Sequence, residues 1–178
     1  MKRRKLVIIL DNPSWNMGGP NLNHEGAGGS ILKFTLKRLS IPRDAWVHLW
    51  VYPEREIRDI PSKKAAREKF LAPHINKLEE EILLHSPSVL VGLGRLACEF
   101  LTGTPVLKNK AGTCWSNRRL SDKKVWIGYS PVATLFDPNL YVDVTGVIAN
   151  ACQRAGIPTH FDPNVPIFDW SPYMKATT

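Results

Sequence analysis

Five consecutive apolar residues, Leu6 to Leu10, follow a basic start and end abruptly at Asp11. A run that is apolar on both faces reads as a strand inside a covered parallel sheet. Downstream the period changes: Ile31, Leu32, Leu36 and Leu39 recur at helical spacing, and Ser30 stands where an N-cap belongs. "AWVHLWVY" (45–52) is rich in β-branched and aromatic residues and stops at Pro53, so it reads as a second strand. From Ser62 the pattern turns helical, breaks at Pro73 and resumes through Ile75, Leu78 and Ile82. "SVLVGLG" (88–94) is a third strand running straight into the short helix "RLACEFLTG". "KVWIGYS" (124–130) is a fourth, after the polar, hairpin-like "KNKAGTCWSNRRLSDKK". Val144, Val147, Ile148, Ala151 and Ala155 then form one stripe of a last helix, with Gly156 at its C-cap.

Strands alternating with helices predict an α/β fold, a three-layer α/β/α sandwich around a central, four-stranded, mainly parallel sheet. Residues 1–157 make up this domain. Residues 158–178, proline-rich and without period, are expected to form an extended arm packed on it through Phe161, Ile167, Phe168 and Trp170. Open parallel sheets bind ligands beyond the carboxyl ends of their strands. The segments leaving those ends, 11–29, 52–61, 92–95 and 129–137, are therefore expected to converge on one cleft.

Charge narrows the partner. Lys and Arg number 24 against 16 Asp and Glu, a formal net charge of +8, which favours a polyanion. The cysteines, Cys98, Cys114 and Cys152, are odd in number and lack close spacing, so reduced thiols are expected, with no metal site and no cofactor. No apolar run approaches the roughly 18 residues of a membrane span, and the run after Lys5 is too short for a signal peptide. The expectation is a cytoplasmic monomer with no membrane partner.

Four pieces in order resemble the uracil-DNA glycosylase superfamily: "LDNPSW" after strand one, "EGAGGSIL" leading into a helix, "PSVLVGLGRLA", and "GYSPVATLFDP" after strand four. The resemblance spans roughly residues 5 to 156. It implies a monofunctional DNA glycosylase that flips a base out of double- or single-stranded DNA and hydrolyses its N-glycosidic bond, removing uracil or another altered pyrimidine in base-excision repair. Asn12 falls on the Asn of the superfamily's N-P-G motif and would position the attacking water; Asp11 is the second candidate for activating it. The loop that follows would supply the base pocket through Leu22, Asn23 or His24. Gly28 and Gly29 would allow close backbone approach to DNA. The helix opening at Gly94 and Arg95 would hold a phosphate, with Lys108, Lys110 and Arg118 outside it. After Ser130, Pro131 would begin a rigid loop for the minor groove, and Leu135 or Phe136 would fill the space left by the extruded base.

Several positions depart from the superfamily pattern. The stacking aromatic is replaced within "PNLNHEG", and strand two ends in "VHLWVYP" without the Asn that reads uracil, leaving His48 and Tyr52 as the nearest polar groups. Ser130 takes the place of a His or Asn that stabilises the departing base. A neutral hydroxyl there implies slow chemistry. The cysteines of the iron-sulfur branches are absent. The alternative is an inactive member of the superfamily, serving as a DNA- or nucleotide-binding accessory to a replication or repair protein; a third reading is a nucleoside-processing or binding enzyme that uses the same cleft for a free base.

Overall fold

The computed structural model describes residues 5–13, 26–53, 60–117 and 120–165. In chain order the elements are β1 (Leu6–Leu10), α1 (Gly26–Arg38), β2 (Trp46–Trp50), α2 (Lys64–His85), β3 (Val89–Leu93), α3 (Arg95–Thr102), β4 (Cys114–Asn117), β5 (Lys123–Gly128) and α4 (Leu140–Arg154). A 3-10 turn, Pro131–Leu135, links β5 to α4. The sheet order is β2-β1-β3-β5-β4. The first four of these strands are mutually parallel, and β4 lies antiparallel on β5.

The three-layer α/β/α expectation holds, with five strands where four were expected. The additional strand is Cys114–Asn117, inside the polar hairpin-like stretch. Its residues are mostly exposed on an edge, so no buried alternation marks it in the sequence.

The even residues of β1 and the odd residues feed separate cores. Leu6, Ile8 and Leu10 pack with α1 and α4, through Leu32, Leu36, Val144, Val147 and Ile148. Val7 and Ile9 pack with α2 and α3, through Leu71, Leu78, Ile82, Ala97 and Leu101. All five β1 residues are buried, which is why the strand reads as a continuous apolar run.

Two helix boundaries differ from the sequence reading. α1 starts at Gly26, so Ser30 lies inside the helix rather than capping it. Glycines carry no side-chain signal for a helix, and here the tertiary contact described below stabilises them. α2 is one helix of 22 residues that continues through Pro73. Pro73 is exposed, as is Lys69, whose carbonyl is the one deprived of its amide partner, while Leu71, Leu78 and Ile82 hold the helix to the sheet.

α4 ends as its pattern predicts. The Ile157 amide donates to the Cys152 carbonyl (2.9 Å) and the Gly156 amide to that of Gln153 (3.1 Å), with Gly156 at φ +64°. This is the paired C-terminal bonding that favours glycine after the cap. Beyond it, the His160 and Asp162 amides donate to the carbonyls of Leu39 and Arg38. Ile167, Phe168 and Trp170 of the expected arm lie outside the described residues.

A buried ion pair ties α2 to α3. Arg67 Nε and Nη2 donate to the two carboxylate oxygens of Glu99 at 2.9 and 2.8 Å, and Nη1 donates to the Ser62 carbonyl at 2.6 Å. Removing Arg67 leaves the half-buried Glu99 without its bidentate partner. Arg67→Ala should therefore lower unfolding free energy by roughly 1.5–3 kcal/mol, the range of hydrogen bonds to charged groups, read by denaturant titration. A loss below about 1 kcal/mol, the range of a solvated surface pair, would contradict this.

Candidate functional site

The sheet order reverses between β1 and β3: the chain leaves β1 toward β2, then crosses back to build β3 and β5 on the other side. At such a switch point the loops diverge and a crevice opens beyond the carboxyl ends. Register fixes which residues stand level there. Leu10 is level with Trp50, Leu93 with Leu10, and Gly128 with Leu93. Asn12, Arg95 and Ser130 therefore each stand two residues beyond one common level. Asn12 and Ser130 follow β1 and β5, strands separated only by β3 and so about 10 Å apart in the sheet.

The two residues have different surroundings. Asn12 is 7 % exposed. Ser130 is half-buried, and its carbonyl accepts the Ala133 amide (2.9 Å) that opens the 3-10 turn.

Asp11, just beyond the end of β1, has a role the sequence does not announce. Its Oδ2 accepts the Arg95 amide and its Oδ1 the Ala97 amide, both at 2.9 Å. These are first-turn donors of α3, whose own N-cap, Gly94, has no side chain. Asp11 thus caps α3 from a neighbouring strand, with the helix dipole favouring its charge. Burial acts the other way and more strongly, raising the Asp11 carboxyl to about 6 against the bonds from Ala97, Arg95 and Leu96.

Gly94 is required by the same contact. A Cβ there would lie 2.4 Å from Asp11 Oδ2, and its backbone, at φ +117° and ψ 178°, is in a region reserved for glycine.

Several expected contacts are corrected by this geometry. The amides at the start of α3, assigned to a phosphate through Gly94 and Arg95, already hold Asp11; what remains for DNA is the exposed Arg95 side chain. Asp11, with both oxygens so engaged, is a structural cap before it is a base. Gly28 and Gly29 are buried rather than open to a ligand, and a Cβ on Gly28 would meet Val132 Cγ2 at 3.1 Å. Glycine is used there so that α1 can approach the 3-10 turn.

That turn is partly core. Pro131 and Thr134 are buried, the Thr134 hydroxyl donates to the Pro131 carbonyl at 2.6 Å, and Leu135 is 4 % exposed. Leu135 therefore cannot enter DNA, whereas Phe136, 65 % exposed, projects from the end of the turn. Lys110 is 8 % exposed, with its ammonium 4.1 Å above the Trp115 ring, so it is not an outer phosphate contact. Lys108 is exposed.

The proposed base readers on strand two are also displaced. His48 lies mid-strand, level with Ile8, between the rings of Trp46 and Trp50. Tyr52 is at the correct end, its amide bonded to the Asp11 carbonyl, but its ring is buried against Phe70 and His74 of α2. Leu22, Asn23, His24 and Arg118 lie outside the described residues.

All three cysteines are free thiols, Cys98 and Cys152 in opposite cores and Cys114 on the surface. Among the described residues no His, Cys, Asp and Glu are gathered as metal ligands. No described helix is long and apolar enough to cross a membrane.

The fold is that of a three-layer α/β protein with a mainly parallel sheet whose order reverses between β1 and β3. No protein-family model and no curated protein matches the chain.

Proposed function

We propose that the protein binds DNA and hydrolyses the N-glycosidic bond of uracil or another altered pyrimidine, slowly. The observation that carries this reading is the level placement of Asn12 and Ser130 across the switch-point crevice. Asn12 positions a water beneath the sugar carbon through its amide, which can both donate and accept. The bond breaks through an oxocarbenium-like state, and Ser130 offers one neutral hydrogen bond to the departing base. Phe136 is the side chain suited to the gap in the stack, and the charge of +8 supplies backbone affinity.

The direct test is incubation with oligonucleotides carrying uracil, hydroxymethyluracil, hypoxanthine or ethenocytosine, followed by alkali. Strand breaks at one altered pyrimidine are expected; intact strands throughout would remove the enzyme reading. Binding should also weaken steeply between about 50 and 200 mM salt as counterions return to the phosphates. A flat salt response, measured by anisotropy, would remove DNA as the partner.

A second reading, an inactive DNA-binding accessory of the same superfamily, is favoured by one specific observation. The carboxylate next to Asn12 is committed to α3, which takes away the second candidate for activating water.

A further inference from the structure

Away from the switch point, the sheet ends at β4. The way this strand begins decides what its edge offers. The Thr113 amide donates to the Lys110 carbonyl (3.0 Å), closing a turn with Gly112, at φ +79°, in its third position. The Gly112 amide then donates to the Ile127 carbonyl (2.8 Å), and the Ile127 amide to the Thr113 carbonyl (3.1 Å). Gly112 and Thr113 thus oppose one residue, a glycine bulge, and Thr113 and Ile127 face each other as a bonded pair. Alternation along the antiparallel ladder turns the N–H and C=O groups of Trp115 and Asn117 toward β5 and those of Cys114 and Ser116 outward. Cys114, Trp115 and Ser116 are exposed, and the strand has no charge and no proline to guard its edge.

The two faces of this edge differ. Trp115 is level with Val125, which packs toward α2 and α3, whereas Cys114 and Ser116 are level with Trp126 and Lys124 on the α4 side. On the Trp115 side, between α2, α3 and β4, lies a cavity of about 390 Å³ walled by Leu71, Ile75, Leu96, Phe100 and the indole. Ser116 also lines it although its side chain is on the other face, so the cavity reaches the backbone of β4. The indole is fixed, its N–H donating to Thr113 Oγ1 at 2.6 Å with the Lys110 ammonium 4.1 Å from the ring centroid.

Polar side chains in the wall already have partners. Arg67 and Glu99 hold each other, Asn117 bonds the Leu101 carbonyl and the Leu120 amide, and Thr102 donates to the Cys98 carbonyl. Glu68, at the rim, is exposed and 3.7 Å from Lys64. The group that fits this cavity is therefore apolar. On the other face the exposed Lys124 ammonium, bonded to Ser116 Oγ at 2.8 Å, calls for an anion.

We infer that β4 takes an extended peptide of a partner protein as a sixth, antiparallel strand. Cys114 and Ser116 supply the main-chain bonds. The peptide residue opposite Trp115 sets a large apolar side chain beside the indole in the cavity, and the residue before it, opposite Ser116, is acidic and meets Lys124. Main-chain bonds give affinity in such strand addition, and the side-chain pocket gives specificity. The inference goes beyond the glycosylase reading and does not depend on it.

The test uses the labelled, end-capped peptide Thr-Thr-Thr-Glu-Leu-Thr-Thr-Thr and fluorescence anisotropy. Methylating the glutamate nitrogen, whose N–H faces β4, should weaken binding by about tenfold; methylating the leucine nitrogen, whose N–H faces away, should leave it nearly unchanged. Replacing the leucine by aspartate should abolish binding. Ile75→Trp, which fills the cavity, and Ser116→Pro, which removes an outward N–H without breaking the ladder to β5, should each reproduce the loss. The methylated pair tests the edge on the unaltered protein, whatever the two variants do to folding. Equal binding of the two methylated peptides overturns the inference, as does equal binding by wild type and folded Ile75→Trp, or no binding of the parent peptide at about 1 mM. A wild-type dimer in sedimentation that Ser116→Pro abolishes gives the edge to a second copy and overturns it too.

Discussion

Under the proposed glycosylase reading, Asn12→Ala is expected to abolish base excision while leaving affinity for the damaged duplex nearly unchanged. Water placement matters only as the bond breaks, so the loss appears in the chemical step and not in binding. The companion substitution, Ser130→His, is expected on the same reading to raise the excision rate by roughly two to three powers of ten, because a side chain able to carry positive charge would then face the base as it departs. Ser130 is half-buried at the crevice level and opens the 3-10 turn through its backbone carbonyl, so its side chain is not the bond that holds the turn. Single-turnover excision, with anisotropy for affinity, reads both effects. An inactive accessory protein would respond to neither, and unaltered strands with all three proteins at equal DNA affinity would leave only the fold.

Gly94→Ala destabilises the protein by about 3–5 kcal/mol, the sum of overpacking and a backbone conformation costly to any residue with a Cβ. The new Cβ would meet all three carboxyl atoms of Asp11 at 2.4 to 2.5 Å, and Asp11 cannot withdraw without releasing the Arg95 and Ala97 amides. Part of the cost therefore depends on Asp11 itself. In a double-mutant cycle, Asp11→Ala combined with Gly94→Ala is less destabilising than the two changes summed. Strict additivity would mean that the contact carries no strain.

The same carboxyl sets a pH dependence of definite sign. Its folded pKa, about 6, lies above the unfolded value of 3.8 because burial penalises the charged form. Between these values the folded state binds more protons, so the stabilisation present below about pH 4 is lost as pH rises through 6. The full span is roughly 3 kcal/mol. Asp11→Asn, which keeps one acceptor and has no charge to bury, flattens the contribution across this window. A wild type whose denaturation midpoint does not move between pH 4 and 7 relative to Asp11→Asn would refute the assignment.

The layers, the parallel strands and the helix stripes were legible in the sequence because burial writes itself as period: continuous in β1 and β3, helical in α4. The parallel direction of the strands followed from the same pattern, and with it the expectation of a site at their carboxyl ends. What the pattern does not encode is which side chains are spent on holding the crevice together. Asp11 at a strand end and Gly94 before a helix look like separate local events; only the pairing of β1 with β3 joins them into one cap. Leu135 and Phe136 are adjacent apolar residues, yet one is core and the other solvent, because the 3-10 turn packs against α1 through Gly28. Lys110 reads as a surface cation until β4 brings Trp115 beneath its ammonium. Local propensity and period act within a few residues and survive in the sequence. Contacts across eighty residues, such as that of Asp11 with α3, arise from strand order and register, which the tertiary structure alone decides.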